Sequence, residues 1–307
     1  DGDSTIVAFE YSLDDTLNWR PIRGTRRLIV LDADSGLTPG DHSFYLRAVD
    51  VAGARSTTIR MPQDPSKDWY VKEPQGRYLL IDDFDDESIS SDFPDAFYKS
   101  LLDTLLPALG DEYSYWNIEE QFPTSVIQFT ETLKEFERVI WYADFVQQSD
   151  PHFIGAQIAI PQFRNEGGKI IYSVKFNQGF GAQGDPLAFS PVDSLGDSYR
   201  IFNNGLYYVD SAFAQIMPPA VPLLPELRSS NTFLLNGLIA LVPKMSSVPM
   251  YRFDDPQSPA DPLFILIGLN DNTNQHDFVF AGTPLNQLNG NGKLFEIILK
   301  DIFDQNN

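Results

Sequence analysis

The sequence contains no cysteine. That absence removes a thiol nucleophile, a disulfide framework, a zinc–thiolate site and an iron–sulfur cluster at once. Histidine is scarce as well: His42, His152 and His276 are the 3 present. Any serine–histidine machinery must draw on one of them. No apolar run reaches the roughly 18 residues that a membrane-spanning helix needs. Basic residues are few, 22 Lys and Arg against 43 Asp and Glu, for a formal charge of −21. Nucleic acid and anionic membrane surfaces are therefore not expected partners, because both demand a basic footprint. The opening stretch, "DGDSTIVAF", has neither the signal-peptide nor the transit-peptide pattern.

What is present is a 307-residue chain with 42% hydrophobic and 13% aromatic residues. This is enough to bury a sizeable core and long enough for two domains. Residues 1–62 read as β structure. "TIVAFEYSLD", "RRLIVLDA", "HSFYLRAVD" and "STTIRM" each favour a strand, with Phe44, Leu46 and Ala48 on one face. Gly- and Pro-bearing turns separate them. Together, "FEYSLDDTLNW" and "LTPGDHSFYLRAVDVAG" resemble the second half of a fibronectin type III or Ig-like sandwich. The resemblance implies a core Trp19, a penultimate strand at 40–50, and first strands that precede the residues seen here. His42 is expected at the surface. Residues 63–76, rich in Pro and charge, read as a linker.

From residue 77 to 307 the pattern changes to alternating strands and helices. Strands are expected at "RYLLIDD", "YSYWNI", "RVIWYADF", "KIIYSVKF", "LFILIGL" and "DFVFAG". Amphipathic helices are expected at "DAFYKSLLDTLLPAL", "SVIQFTETLKEF" and "GKLFEIILKDIF". A further one, "HFIGAQIAIPQFRNEGG", should bend or break near Pro161 and close at Gly167–Gly168. The order predicts an α/β domain with an open, mostly parallel sheet. Residues 179–262 read as irregular, with Pro- and Asp-rich loops.

In order along the chain, "YLLIDDFDD", "RVIWYADF", "FRNEGGKIIYSVKF", "DFVFAGTPL" and "LFEIILKDIF" resemble a class I glutamine amidotransferase-like, flavodoxin-like domain. They are most similar to the non-catalytic relatives found at the ends of secreted, multidomain bacterial proteins. The resemblance implies an extracellular or cell-surface location and a protein or glycan partner. Active members of that family carry a Cys on the turn after the "GGK" strand, and here that position falls at 173–175 with no Cys. Ser173 is the substitute nucleophile to consider, with His276 as its base, although "SVKFNQG" lacks the flanks of a nucleophile elbow.

The stretch "RYLLIDDFDDES" ends an apolar strand in Asp82, Asp83, Asp85 and Asp86. In a parallel sheet Asp82, Asp83, Asp144 and Lys175 would share the carboxyl edge, where open α/β sheets place ligands. Asp82, Asp83 and Asp144 form a candidate set for Ca²⁺ or Mg²⁺, and Asp144, Ser173 and Lys175 a candidate ligand-binding set. The competing reading is structural, with capping carboxylates and a solvated turn. A receiver domain has a similar acidic outline, but here the lysine strand directly follows the Asp144 strand. The oxygen-rich loops "DNTNQHD" and "DDPQSPADP" miss the EF-hand spacing. Trp69, Tyr70, Trp116, Tyr207 and Tyr208 fit either a groove or core packing. Two functions follow: a non-enzymatic binding or scaffolding module of a larger secreted protein, or a metal-dependent hydrolase working at the acidic edge.

Overall fold

The computed structural model describes residues 5–23, 29, 31–84, 93–120, 125–176, 179–180, 185–219, 221–230, 235–258 and 260–304. The chain divides into two compact units, Asp1–Pro74 and Gln75–Asn307.

The first unit contains β1 (Ile6–Leu13), β2 (Arg20–Arg23), β3 (Gly40–His42), β4 (Phe44–Asp50), β5 (Ile59–Met61) and β6 (Trp69–Val71). A four-stranded antiparallel sheet has the order β2-β1-β4-β5, and β3 pairs separately with β6. Phe9, Tyr11 and Leu13 lie opposite Ala48, Leu46 and Phe44, which builds the expected apolar face. Tyr11 and Phe44 stack at 5.8 Å between ring centroids. No apolar side chain of this unit is fully buried among the described residues. Trp19 is only half-buried: it lies under the Arg47 guanidinium at 3.8 Å and donates its indole N–H to the Thr16 carbonyl at 2.7 Å.

Two further expectations for this unit change, and a third lies largely outside the described residues. His42 is buried, because its ring is held between Asp14 Oδ2 at 2.7 Å and the Thr38 carbonyl at 2.5 Å. The stretch 63–76 is more than a linker, since Trp69–Val71 pairs with Gly40–His42. The strand expected at 26–33 falls largely outside the described residues, and Ala33–Ser35 forms a 3-10 turn.

The second unit is built on a ten-stranded mixed sheet. Its strands are β7 (Tyr78–Asp83), β8 (Tyr113–Asn117), β9 (Arg138–Phe145), β10 (Lys169–Lys175), β12 (Leu206–Val209), β13 (Leu227–Ser229), β15 (Ser247–Phe253), β16 (Leu263–Asn270), β17 (Gln275–Ala281) and β18 (Leu288–Asn289). A separate pair joins β11 (Val192–Arg200) to β14 (Asn236–Pro243). The order is β18-β13-β12-β15-β16-β17-β10-β9-β7-β8. Strands β8, β7, β9, β10 and β17 run parallel. From β17 outward through β16, β15, β12, β13 and β18 every pairing is antiparallel. The expectation of a mostly parallel sheet is therefore corrected to a mixed one. Three strands of the antiparallel half, β12, β13 and β15, arise from the 179–262 region read as irregular, where Pro- and Asp-rich loops mask their periodicity.

The parallel block has the composition its environment requires. All six residues of β7 are buried, as expected for a strand covered on both faces. Tyr78 and Leu80 enter the core shared with Tyr98, Leu102, Leu294 and Phe295. Leu79 and Ile81 enter the opposite core with Phe129, Phe153, Ala159 and Phe163. Helices α1 (Phe93–Leu105) and α5 (Asn291–Ile297) thus serve one face, and α2 (Val126–Lys134) and α3 (Pro151–Asn165) the other. Each buried Leu or Ile contributes about 1.5–3 kcal/mol by leaving water. α3 is not broken at Pro161 but continues to Asn165. A short helix, α4 (Ser211–Ile216), and a π-helical turn at Ile298–Ile302 complete the unit.

The "GGK" motif has a physical cause. Gly167 ends α3 with φ +93°, the left-handed conformation that glycine tolerates. At Gly168 a Cβ would lie 2.2 Å from the buried Phe163 ring. One glycine serves the turn and the other the close approach of strand to helix.

Candidate functional site at the carboxyl edge of the parallel strands

Because successive strand residues point to opposite faces, Asp82 and Asp83 separate into two different clusters. Both side chains are buried. Asp85 and Asp86 lie outside the described residues.

On one face Asp82 meets Asp95 from the first turn of α1. The two carboxyls are close enough to act on each other's ionisation. Tyr115 donates to Asp82 Oδ2 at 2.6 Å and also lies 3.1 Å from Asp95 Oδ2. The Phe84 amide donates to Asp82 Oδ1 at 3.1 Å. Asp95 has the better anion environment: Tyr142 donates to it at 2.6 Å and Lys99 at 3.0 Å. Burial, then the hydrogen bond that the protonated Asp82 donates to the Asp95 carboxylate, raise the Asp82 carboxyl above the usual carboxylate range. Burial alone would raise the Asp95 carboxyl, but the hydrogen bonds it accepts from Asp82, Tyr142 and Lys99 together outweigh burial and lower its pKa. Of the two carboxyls, Asp82 is therefore the one that keeps a proton to the higher pH, since two adjacent carboxylates cannot both ionise cheaply. Lys99 also lies 3.6 Å over the Tyr115 ring, which fixes this corner further.

On the other face Asp83 accepts from the Trp141 indole N–H at 2.9 Å and faces His152 Nδ1 at 2.5 Å. Glu119 Oε1 approaches the same ring nitrogen at 3.5 Å. Burial pushes the Asp83 carboxyl up to about 6, against the opposing pull of His152. Burial works to lower the pKa of His152, but Asp83 and the neighbouring carboxylates outweigh it and raise it. The ring is positioned locally: Asp150 caps α3 by accepting from the His152 amide at 2.9 Å, and Pro151 occupies the first turn. Ligand atoms of Asp83, Glu119 and His152 all lie within 4.8 Å of one another, the one such metal-capable trio among the described residues.

Asp144 and Lys175 form a third, separate contact. Lys175 Nζ lies 3.2 Å from Asp144 Oδ1 and 3.4 Å over the Phe145 ring. Burial lowers the lysine pKa while Asp144 opposes that shift. The structure thus distributes the expected metal set: Asp82 goes to Asp95, Asp83 to His152 and Glu119, and Asp144 to Lys175.

Ser173 is buried, and its hydroxyl is already engaged. It donates to the Thr283 carbonyl at 3.3 Å and accepts from the Leu285 amide at 3.2 Å. Its role is to tie the "GTPL" segment to β10. His276 cannot serve it as a base. Ser173 pairs with Ala281, whereas His276 pairs with Leu269 near the start of β17, on the order of 15 Å away along the strand.

Asp95, Glu119, Tyr115 and Tyr142 were not singled out in the sequence. Asp95 reads there as an ordinary acidic residue in a helix first turn. Glu119 follows the end of β8, so its place at a strand carboxyl end was the available signal. The aromatic candidates sort mainly into packing: Tyr207 is buried in the core, and Trp116 packs edge-on against Phe129 at 5.7 Å. Tyr208 donates to Asp261 at 2.5 Å.

No family model matches this chain, and no curated protein matches it. Among solved structures it is similar to the N-terminal domain of mmIFT52, with 10% identity and a TM-score of 0.42. That alignment covers 75% of this chain and 99% of the other. It is also similar to alpha-L-fucosidase isoenzyme 2 from Paenibacillus thiaminolyticus, with 10% identity and a TM-score of 0.38. There 75% of this chain aligns with 32% of the fucosidase. No helix among the described residues is long and apolar enough to cross a membrane.

Proposed function

We propose that this chain is a non-enzymatic binding or scaffolding module of a larger secreted or cell-surface protein. In this reading an amidotransferase-like α/β domain follows a partial fibronectin III or Ig-like domain. The observation that carries it is the state of Ser173. At the position where a nucleophile would stand, the hydroxyl is buried and occupied by Thr283 and Leu285, and no cysteine exists to replace it. The neighbouring carboxylates are likewise engaged with one another or with Lys175 and His152.

The test is a turnover screen on glutamine, ester, phosphate and glycoside substrates, together with fluorophosphonate labelling. Neither turnover nor labelling at Ser173 is expected. Reproducible turnover lost in Ser173→Ala or Asp83→Asn would overturn the proposal.

A second reading, a metal-dependent hydrolase, rests on Asp83, Glu119 and His152 rather than on the set expected from the sequence. Two carboxylates and an imidazole could hold a divalent ion that activates water, and the Trp141 bond to Asp83 would orient that carboxylate. Metal-dependent hydrolysis abolished by both His152→Ala and Glu119→Gln would favour it over the binding module.

A further inference from the structure

At the opposite edge of the sheet from the acidic clusters, a cavity of about 300 Å³ opens beside the last turn of α3. Pro161, Arg164 and Asn165 approach from that helix, Phe189 and Pro191 from the segment leading into β11, and Ser246 from the β14–β15 turn. The end of β16 and the turn after it complete the cavity with residues 268–272. Its volume sits at the lower end of the range for small-molecule sites.

The floor is pre-organised. Arg164 binds the buried carboxylate of Asp277 through Nε at 2.9 Å and Nη2 at 2.6 Å. Asn270 closes this network, donating to Asp277 Oδ2 at 2.7 Å and to the Arg164 carbonyl at 2.9 Å. Lys244 is spent on the rim: its ammonium donates to the carbonyls of Leu187, Ala188 and Ser190 at 2.8–2.9 Å. Both cations are therefore neutralised or consumed by the protein.

The polar groups left around the cavity are of mixed type. Arg164 Nη1 and Asn165 Nδ2 are donors; Asn272 Oδ1 and the Asp271 carboxylate are acceptors; Ser246 Oγ can be either. None of these atoms bonds another described residue, although Asn272 Nδ2 donates to Asn165 Oδ1 at 2.7 Å and so fixes both amides. Beside them lie the apolar surfaces of Pro161, Phe189 and Pro191. An anion would meet Asp271 and a guanidinium already paired to Asp277. A neutral polyhydroxylated ring, with hydroxyls that both donate and accept and a C–H face for the prolines, suits the arrangement.

We propose that this cavity binds a neutral saccharide unit. The inference rests on the binding-module reading and gives that module a ligand class. The experiment is a titration of the full chain, followed by saturation-transfer NMR and by the side-chain amide signals of Asn165 and Asn272. The probes are methyl α-glucoside, methyl α-mannoside, methyl α-galactoside and N-acetylglucosamine, with glucose 6-sulfate as the anionic control.

At least one neutral sugar is expected to bind saturably, with a Kd on the order of 1 mM. Ser246→Trp, an exposed position filled by an indole, should abolish binding, and Asp271→Ala should weaken it about tenfold, the equivalent of about 1.4 kcal/mol. Both variants should keep the wild-type melting temperature. Absence of binding by all four neutral sugars, binding that survives Ser246→Trp, or tighter binding of the sulfated sugar would each overturn the proposal. Enzymatic turnover, measured separately, would remove the binding-module reading while leaving the titration result intact.

Discussion

The proton that Asp82 keeps beside Asp95 makes a specific claim about pH. A carboxyl whose pKa is raised by folding binds a proton in the native state that the unfolded chain has already released. Unfolding free energy therefore falls as pH rises from about 4 towards the raised value, by at most about 1.4 kcal/mol per pH unit for one proton. Asp82→Asn supplies a permanent N–H donor to Asp95 and should remove this contribution. Urea unfolding between pH 4 and 8 would show it as a variant-minus-wild-type difference that grows more favourable as pH rises. A flat difference would mean that Asp82 is ionised in the folded protein. The raised pKa of His152 acts with the same sign, adding stability below its ordinary range that is lost as pH climbs through the folded value. A second residue-scale expectation concerns Ser173. Its alanine variant leaves the buried Leu285 amide without an acceptor, so it should lose about 1–3 kcal/mol of stability. Denaturant midpoints would measure that loss.

At the scale of elements, the join between α3 and β10 is the most constrained. Gly168→Ala would drive a methyl into the Phe163 ring, which is itself buried against the sheet. Relief requires moving either the ring or the strand start, and overpacking of this kind costs about 1–3 kcal/mol. Circular dichroism melts of Gly168→Ala should show the drop, and Phe163→Leu in the same background should recover part of it. The recovery would identify the ring as the obstacle and exclude a backbone cause. The same join explains how β10 delivers Ser173 and Lys175: the strand starts beside the helix end, so its register against β9 and β17 is set before the carboxyl edge is reached.

At the scale of the molecule the two units differ in how deeply they bury apolar side chains. The second has two extended cores on either side of its large sheet, whereas the first has none of its apolar residues fully buried among those described. Native-state hydrogen exchange should therefore protect β7, β9, β10 and β17 most strongly and β1 and β4 much less, because local opening follows buried contact. Equal protection of β1 and β10 would contradict this. The charge of −21 adds a global repulsion. Moderate NaCl should raise the melting temperature by screening it, and a fall with salt would show that specific ion pairs dominate instead.

Some of this architecture is written in short stretches of chain. The runs "YLLIDD", "RVIWYADF", "KIIYSVK" and "DFVFA" are apolar enough to demand burial on both faces, and each is a strand of the parallel block. The strands Ile6–Leu13, Phe44–Asp50 and Ile59–Met61, the carboxylates at the end of β7 and the paired glycines after α3 were legible for the same reason: periodicity and backbone preference act over a few residues. What Asp82 and Asp83 would touch was not legible. Asp82 faces Tyr115, 33 residues away, and Asp83 faces His152, 69 residues away. Asp144 was grouped with them by its place at a strand end, yet its side chain meets Lys175 instead. Part of the antiparallel half of the sheet was hidden similarly, because strands of three or four residues such as β12 and β13 carry too little pattern to register alone. Local composition sets which segments must be strand, helix or turn. Only the packing of distant segments decides which carboxylate keeps a proton, which faces a histidine, and which side chains surround the polar cavity at the opposite edge.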